Sequence, residues 1–157
     1  MALRRKLTFR FGTRKIVFVK HRDESEEHVI GKAVLFALYY QDYPDLSVEV
    51  PAANRYKPDL VSFGDDGRPR FWAESGKVGR RKAADLLKKL PDTHLVFLRH
   101  SFKIDAFVQL LEKISDSAGM NRSMPVEVIG RPRDIQPYIS KKGEIRISRS
   151  DCRIVTL

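Results

Sequence analysis

Cysteine is almost absent from this sequence, since Cys152 is the single one among 157 residues. A lone cysteine excludes an internal disulfide and any zinc site built on cysteines. Long apolar runs are also missing, because the longest, residues 33–40, falls far short of the roughly 20 residues that span a bilayer. Basic side chains interrupt residues 7–19, which therefore lack the pattern of a signal peptide. We expect a cytoplasmic protein with no membrane partner.

Several catalytic motifs are missing as well. No serine lies in a Gly-x-Ser-x-Gly elbow, which excludes that class of hydrolase. Residues 76–82 are rich in glycine and lysine, but their spacing is not that of a P-loop, and no serine or threonine follows Lys77. The four histidines show no spacing typical of metal ligands.

Acidic residues are outnumbered by basic ones. Thirty Lys and Arg face twenty Asp and Glu, which leaves a formal net charge of +10. Such a surplus attracts polyanions, of which nucleic acid is the commonest in a cell. We therefore expect DNA or RNA as a partner, and the alternative is a generally basic, solubilising surface. The hydrophobic fraction of 42% is sufficient for an ordinary core.

Hydrophobic periodicity predicts one α/β domain over residues 1–157. Alternating or short apolar runs predict strands at residues 7–11, 15–20, 46–50, 94–98 and 126–129, and a C-terminal pair of strands within residues 144–157. Helical spacing predicts helices within residues 21–40, 76–90 and 102–114, and a short one at residues 134–139. The first helix has Asp23 or Ser25 as its candidate N-cap and acidic residues in its first turn.

The centre of the chain reads as a β-hairpin that carries two carboxylates. Residues 55–63 and 71–77 are rich in β-branched and aromatic side chains, and a Gly-Asp-Asp-Gly turn joins them. Asp59 lies in the first run, Glu74 lies in the second, and Lys77 follows. Carboxylates in apolar strands are costly to desolvate unless a cation balances them. Lys77 and a divalent metal ion are the candidates for that cation.

At these residues the sequence resembles the PD-(D/E)xK nuclease superfamily, and within it the YaeQ-like group. The resemblance covers about residues 23–100 and rests on the acidic helix start at residues 24–27, the Pro-Asp-Leu of residues 58–60, the Trp-Ala-Glu-Ser-Gly of residues 72–76, the basic helix start at residues 80–83 and the strand at residues 95–98. It implies a restriction-endonuclease-like core, in which helices flank a mixed β-sheet. Extra β-hairpins are expected at the N- and C-terminal ends.

The resemblance also implies a site that uses Mg²⁺ or Mn²⁺ to hydrolyse phosphodiesters. Asp59 and Glu74 match the metal-binding acids, and Lys77 matches the lysine that activates water. Glu27 is the candidate for a helix-borne third acid, although periodicity leaves Glu24 and Glu26 open. The superfamily places one residue between the glutamate and the lysine, whereas two intervene here. Either a bulge at residue 76 restores the common direction, or Lys77 lies in the loop after the strand.

Basic residues around the start of the second helix are candidates for nucleic-acid contacts, namely Lys57, Arg80, Arg81 and Lys82. Free N–H groups at a helix start attract phosphate, and these cations add to the attraction. The alternative to a nuclease is a catalytically inactive module with the same fold, which binds nucleic acid or a protein partner. The displaced lysine favours that alternative.

Overall fold

A computed structural model describes residues 5–52 and 54–157. Within that part, no helix combines the length and apolar character that crossing a membrane requires. In chain order the strands and helices are β1 (Arg5–Phe11), β2 (Arg14–Lys20), α1 (Glu26–Tyr39), β3 (Ser47–Val48), β4 (Leu60–Phe63), β5 (Pro69–Ser75), α2 (Arg80–Lys89), β6 (His94–Arg99), α3 (Asp105–Ala118), β7 (Val126–Gly130) and β8 (Arg153–Thr156). Two short 3-10 turns lie at Gln136–Tyr138 and Arg149–Asp151.

Six strands form one mixed sheet in the order β3-β4-β5-β6-β7-β8, and β1 and β2 form a separate hairpin. Strands β5, β6 and β7 are parallel, and the other neighbours are antiparallel. Parallel neighbours need crossover connections, which α2 and α3 supply. Both crossovers step in the same direction across the sheet, so right-handed connections put both helices on the same face.

Helices cover both faces of the sheet, as the sequence predicts. In β5, Phe71 and Ala73 pack in the core beneath α1, whereas Trp72 packs in the core with α2 and α3. The alternation follows from the opposite directions of successive side chains in a strand. Central strands that are buried on both faces must be apolar throughout, which explains the continuous apolar run of β6. The predicted fold class, a mixed sheet flanked by helices, is confirmed.

The start of α1 has the predicted cap. Of the two candidates, Ser25 is the N-cap, and its hydroxyl accepts a hydrogen bond from His28 N at 3.1 Å. Glu26 and Glu27 lie in the first turn, where the helix dipole favours negative charge.

The C-terminal segment contributes one strand to the sheet instead of the predicted hairpin. Strand β8 pairs with β7, whereas Glu144 and Ile145 form only isolated bridges to Arg10 and Ile139. Ile145 and Ile147 are buried in the core that includes the apolar side chains of β1 and β2. Their alternation therefore reflects packing against the N-terminal hairpin, not pairing with β8.

Candidate functional site

Asp59 and Glu74 lie side by side at the edge of the sheet where β5 ends. Strand β4 is antiparallel to β5, and the pairing of Leu60 with Ala73 puts Asp59 beside Glu74. Two hydrogen bonds hold Asp59, because its backbone N donates to Ala73 O at 3.2 Å and Ser75 N donates to its Oδ2 at 2.7 Å. The strand pairing therefore brings together two acids that are distant in sequence.

Glu74 is a buried acid with one protein cation beside it. It is 4% exposed. Its Oε1 accepts a hydrogen bond from Trp72 Nε1 at 3.0 Å and lies 2.9 Å from Lys82 Nζ. Burial, with the charge of Asp59 as a further cause, raises the pKa of Glu74 to about 7 despite the ammonium group of Lys82. The Glu74 carboxyl therefore keeps its proton to a higher pH than a solvated glutamate does.

Asp59 has the opposite protonation preference. Burial alone would raise its pKa, but hydrogen bonds from the His28 imidazole and from Ser75 N favour the carboxylate and lower the pKa below the ordinary value. The Nε2 atom of His28 lies 3.3 Å from Asp59 Oδ1, and this contact is the main cause that raises the pKa of His28. The site thus combines an acid whose pKa is lowered with a neighbouring acid whose pKa is raised, a pairing typical of acid–base chemistry.

A row of alternating charges runs from Asp59 along α1. His28 Nε2 also contacts Glu24 Oε2 at 3.3 Å, and Lys32 Nζ lies 2.6 Å from the same oxygen. Lys32 is 1% exposed, and its second partner is Glu49 Oε1 at 2.7 Å. A buried ammonium group is tolerable only with such close partners. The row therefore holds His28, and through it Asp59, in position.

The acid on the Asp59 side is Glu24, which lies in the loop just before the N-cap of α1. Through His28, Glu24 is linked to Asp59. Glu26 instead forms an exposed ion pair with Arg5 at 3.7 Å. Glu27, the candidate third metal ligand, is exposed and lines a separate cavity with Lys77. The structure thus brings Asp59 and Glu74 together but not Glu27.

A second group of potential ligands lies nearby. Single ligand atoms of His21, Glu24 and Glu49 lie within 4.8 Å of one another. Lys32 already pairs with both of these glutamates, so an additional cation would meet its ammonium group. Carboxylates that are neutralised in this way are poor metal ligands. We therefore do not assign a metal site to His21, Glu24 and Glu49.

Lys77 is separated from Glu74 by a turn. Gly76 adopts a φ of +92°, a left-handed conformation that glycine tolerates, and its N donates to Leu98 O at 2.8 Å. The turn ends β5 at Ser75, and Lys77 is exposed in the loop beyond it. Of the two arrangements that the spacing leaves open, the structure has the loop.

Three of the four candidate nucleic-acid contacts are exposed, namely Lys57, Arg80 and Arg81. Lys82 differs from expectation, because its side chain turns back from α2 toward the sheet and pairs with Glu74. Its Nζ also lies 5.5 Å from the centre of the Tyr56 ring. Amphipathic periodicity marks Lys82 as outward-facing, but a long flexible side chain on the flank of a helix can reach a buried acid.

Sequence reasoning missed His28, Lys32 and the role of Lys82. A signal for the first two was present, because Glu24, His28 and Lys32 recur every four residues and so share one helical face. Charged residues on a face that is otherwise apolar indicate a buried polar row. No comparable sequence signal pairs Lys82 with Glu74.

The close packing of α1 on β5 leads to a stability prediction for Gly31. A Cβ atom at this position would lie 1.9 Å from Ser75 Oγ and 3.3 Å from His100 Cε1. The substitution Gly31→Ala is expected to displace Ser75, which donates to His28 O at 3.2 Å, and to cost about 1–3 kcal/mol of unfolding free energy. Urea denaturation measures this, with the exposed Gly79→Ala as the control, since no atom lies within 4 Å of a Cβ there. Equal stability of the two variants would contradict the prediction.

Comparisons with known proteins concern the fold. No protein-family model matches the chain, and no curated protein matches it. Among solved structures, the YaeQ protein from Xanthomonas axonopodis pv. citri is similar with a TM-score of 0.52 and 18% identity, over 80% of this chain and 71% of that one. The YaeQ protein from Pseudomonas syringae is similar with a TM-score of 0.56 and 17% identity, over 82% of this chain and 66% of that one. The fold is YaeQ-like.

Proposed function

We propose that the protein is a nuclease of the PD-(D/E)xK type, which binds DNA or RNA and hydrolyses phosphodiesters with Mg²⁺ or Mn²⁺ held by Asp59 and Glu74. The observation that carries the proposal is the pair of neighbouring carboxylates at the end of β5, one held ionised and the other with a raised pKa. Buried acids whose pKa is shifted by burial and by a specific charged partner are typical of active sites. The YaeQ-like fold supports the proposal by analogy alone.

The residues present fit a hard divalent cation. Mg²⁺ prefers carboxylate oxygens and retains several waters, so two acids suffice. Trp72 Nε1 and Lys82 Nζ both contact Oε1 of Glu74. The other carboxylate oxygen, Oε2, accepts no hydrogen bond from the described residues. That oxygen and Asp59 would hold the cation. When bound, the cation neutralises the phosphate and lowers the pKa of a water.

The protein side chains around the acids have defined roles in this proposal. His28 keeps Asp59 ionised and oriented through its contact at 3.3 Å. Lys82, not Lys77, is the lysine next to the acids, so we assign Lys82 the role of stabilising the charge that develops on the phosphate. Lys57, Arg80 and Arg81 would attract the phosphate backbone from around the start of α2.

A second candidate function is an inactive nuclease-fold module that binds nucleic acid or a protein partner. One observation favours it: each acid already has a protein cation as a close partner, Lys82 for Glu74 and His28 for Asp59. A site that is internally neutralised needs no metal ion for stability. The displaced Lys77 points in the same direction.

The test is cleavage of plasmid DNA, single-stranded DNA and RNA in the presence of Mg²⁺ or Mn²⁺, with chelator as the blank. Cleavage is expected with metal, and Asp59→Asn is expected to reduce its rate on the order of 10²-fold or more, since a metal ion contributes several kcal/mol to such reactions. Lys82→Met is expected to cause a loss of similar order, because it removes a charge that stabilises the transition state.

Lys88→Met is the matched control, because it removes the same charge from an exposed position on the same helix. We expect it to change the cleavage rate far less than Lys82→Met does. Cleavage that survives Asp59→Asn would remove the site assignment. Salt-sensitive binding without cleavage under any metal condition would favour the inactive module.

A further inference from the structure

A strongly basic pocket lies at the edge of the sheet where β5 ends. It has a volume of about 360 Å³ and lies where β5, β6 and β7 end, lined by Glu27, Gly76, Lys77, Arg99, His100, Ser101, Lys103 and Arg133. Ligands of parallel sheets bind outside the carboxyl ends of the strands. A larger cavity of about 1010 Å³ at the opposite edge mixes acidic and basic side chains and has no comparable charge preference.

The basic side chains of this pocket are not neutralised by the protein. Among residues 5–52 and 54–157, no carboxylate lies within ion-pair distance of Lys77, Arg99, Lys103 or Arg133. The one acid in the lining is Glu27. Four like charges around one concavity repel one another, and a bound anion relieves the repulsion.

A buried polar atom adds a second, independent observation. His100 Nδ1 is buried without a hydrogen-bond partner among the described residues. Its ring lies against two glycines, since Cβ atoms added at Gly31 and Gly76 would lie 3.3 Å from His100 Cε1 and Nε2, respectively. Burial, together with the nearby charge of Arg131, lowers the pKa of His100 below its ordinary value. The imidazole is thus held in place at the wall of the pocket in a positive environment.

We propose that this pocket binds a phosphate group of the nucleic-acid strand whose scissile phosphodiester lies at Asp59 and Glu74. Lys77 is three residues from Glu74, so their Cα atoms can be at most about 10 Å apart. Phosphates in one strand of a duplex follow one another at about 3.4 Å along the axis, so one strand can reach both places. The inference rests on the proposed function, and it assigns Arg99, Lys103 and Arg133 a role that the sequence did not indicate.

The chemistry of the lining favours phosphate over a carboxylate ligand. Arginine presents a planar fork of donors that matches phosphate oxygens, and two of the four cations are arginines. Helix α3 begins beside the pocket, and its N-cap Ile104 makes no side-chain hydrogen bond to the first turn. The acid in that turn, Asp105, is paired with Arg153, so the N–H groups of the helix start can still attract an anion.

The test uses the full chain and short fluorescent single-stranded oligonucleotides, in chelator so that no cleavage occurs. The double variant Lys103→Gln/Arg133→Gln removes two exposed charges whose side chains form no hydrogen bond or ion pair among the described residues. We expect its affinity to be at least about tenfold weaker. The slope of log K against log [salt] should also fall by about 0.7 for each phosphate contact that is lost. The matched control is Lys141→Gln/Lys142→Gln, which removes the same charge from an exposed turn that does not line the pocket.

The bound phosphate could be at the end of the strand or within it. Oligonucleotides with a 5′-phosphate, a 3′-phosphate or no terminal phosphate distinguish these two cases. If one terminal phosphate strengthens binding to the wild type but not to the pocket variant, the pocket holds a strand end. If all three probes lose the same factor in the variant, it holds an internal phosphate. Both results support the pocket.

The imidazole resonances of His100 give a readout that does not depend on affinity. They are expected to shift when oligonucleotide is added, whereas those of His94, at the start of β6, are not. Equal affinities and equal salt slopes for the pocket variant and the control would overturn the inference. If the pocket variant and the control bind equally but the protein still cleaves with metal, the pocket inference fails and the proposed function stands. If binding depends on the pocket but no cleavage occurs, the pocket inference stands and only the catalytic part of the proposed function fails.

Discussion

The substitution Glu74→Gln is expected to make the metal-free protein more stable at pH 8 by about 1–3 kcal/mol. The carboxyl is 4% exposed, and its pKa is raised from 4.5 to about 7. Glutamine has nearly the same shape and can accept the hydrogen bond from Trp72 Nε1 and that from Lys82 Nζ on one oxygen. It therefore removes a desolvated charge and its repulsion from Asp59 without leaving a gap.

The sign of the pH dependence follows from the raised pKa. Below about pH 4.5 the carboxyl is protonated in both the folded and the unfolded chain, so it contributes no penalty. As the pH rises from 4.5 to about 7, the unfolded chain ionises first and the folded protein loses stability. The advantage of Glu74→Gln should therefore be absent at low pH and reach its full value above about pH 7.

Cleavage is expected to respond in the opposite direction. A neutral amide is a far weaker ligand for Mg²⁺ than a carboxylate, and the loss should be on the order of 10³-fold, since a catalytic metal contributes several kcal/mol. A functional site that contains a costly buried charge is expected to gain stability and lose activity when that charge is removed.

Urea denaturation at several pH values in chelator measures the stability change. Glu112→Gln is the matched control, because Glu112 is exposed on α3 and should show no change beyond a few tenths of a kcal/mol. Loss of stability in Glu74→Gln at pH 8 would indicate that the pair with Lys82 is structural and would weaken the case for a functional site.

The second large effect is expected at Glu127, at the start of β7 and away from the candidate site. Its Oε1 accepts hydrogen bonds from Tyr39 Oη at 2.9 Å and from His94 Nε2 at 2.6 Å, and its Oε2 pairs with Arg149. These groups come from α1, β6 and the 3-10 turn at Arg149–Asp151. Glu127→Ala is expected to cost about 3–5 kcal/mol, because it leaves the partners of a buried ionic group unsatisfied.

The stability provided by Glu127 depends on pH in the opposite sense to that of Glu74. Burial would raise its pKa, but the hydrogen bonds from His94, Arg149 and Tyr39 outweigh it and lower the pKa to about 2. A lowered acid pKa stabilises the folded state above about pH 4.5, and the stabilisation is lost as the pH falls toward 2. The difference between wild type and Glu127→Gln should therefore shrink over that interval.

Chemical denaturation between pH 7 and pH 3 measures this difference. Glu144→Gln is the control, because the side chains of Glu144 and its partner Arg146 are 39% and 71% exposed, and such surface pairs contribute about 0–1 kcal/mol. If Glu127→Ala and Glu144→Gln cost the same at pH 7, the buried network does not stabilise the fold as argued.

Much of the architecture could be predicted because its signals are local. Apolar runs mark β6 and β7, helical spacing marks α1, α2 and α3, and Ser25 caps α1 in the usual way. The C-terminal region could not be predicted in the same way, because Ile145 and Ile147 alternate like a strand while they pack against the N-terminal hairpin. Alternation reports burial, and it does not identify the partner.

For the candidate site, too, the sequence predicts the local pairing but not the contacts between distant elements. The central hairpin that carries Asp59 and Glu74 is visible in the sequence, because turn residues and β-branched runs specify local pairing. Whether Lys77 or Lys82 meets Glu74 depends on the left-handed turn at Gly76 and on the position of α2 against the sheet. Neither is encoded in the spacing of the two lysines.

The sequence by itself determined the order of strands and helices from β1 to β7, the basic charge and the two neighbouring acids, because each depends on residues that are close in the chain or paired by one hairpin. Only the tertiary structure decided which cations meet those acids, and that Glu24 and not Glu27 is linked to Asp59 through His28. It also decided that one pocket is surrounded by four basic residues from the ends of strands and the connections after them, none of which has an ion-pair partner among the described residues. The physical reason is that side-chain partners across loops and helix faces are set by three-dimensional packing, which one-dimensional periodicity does not specify.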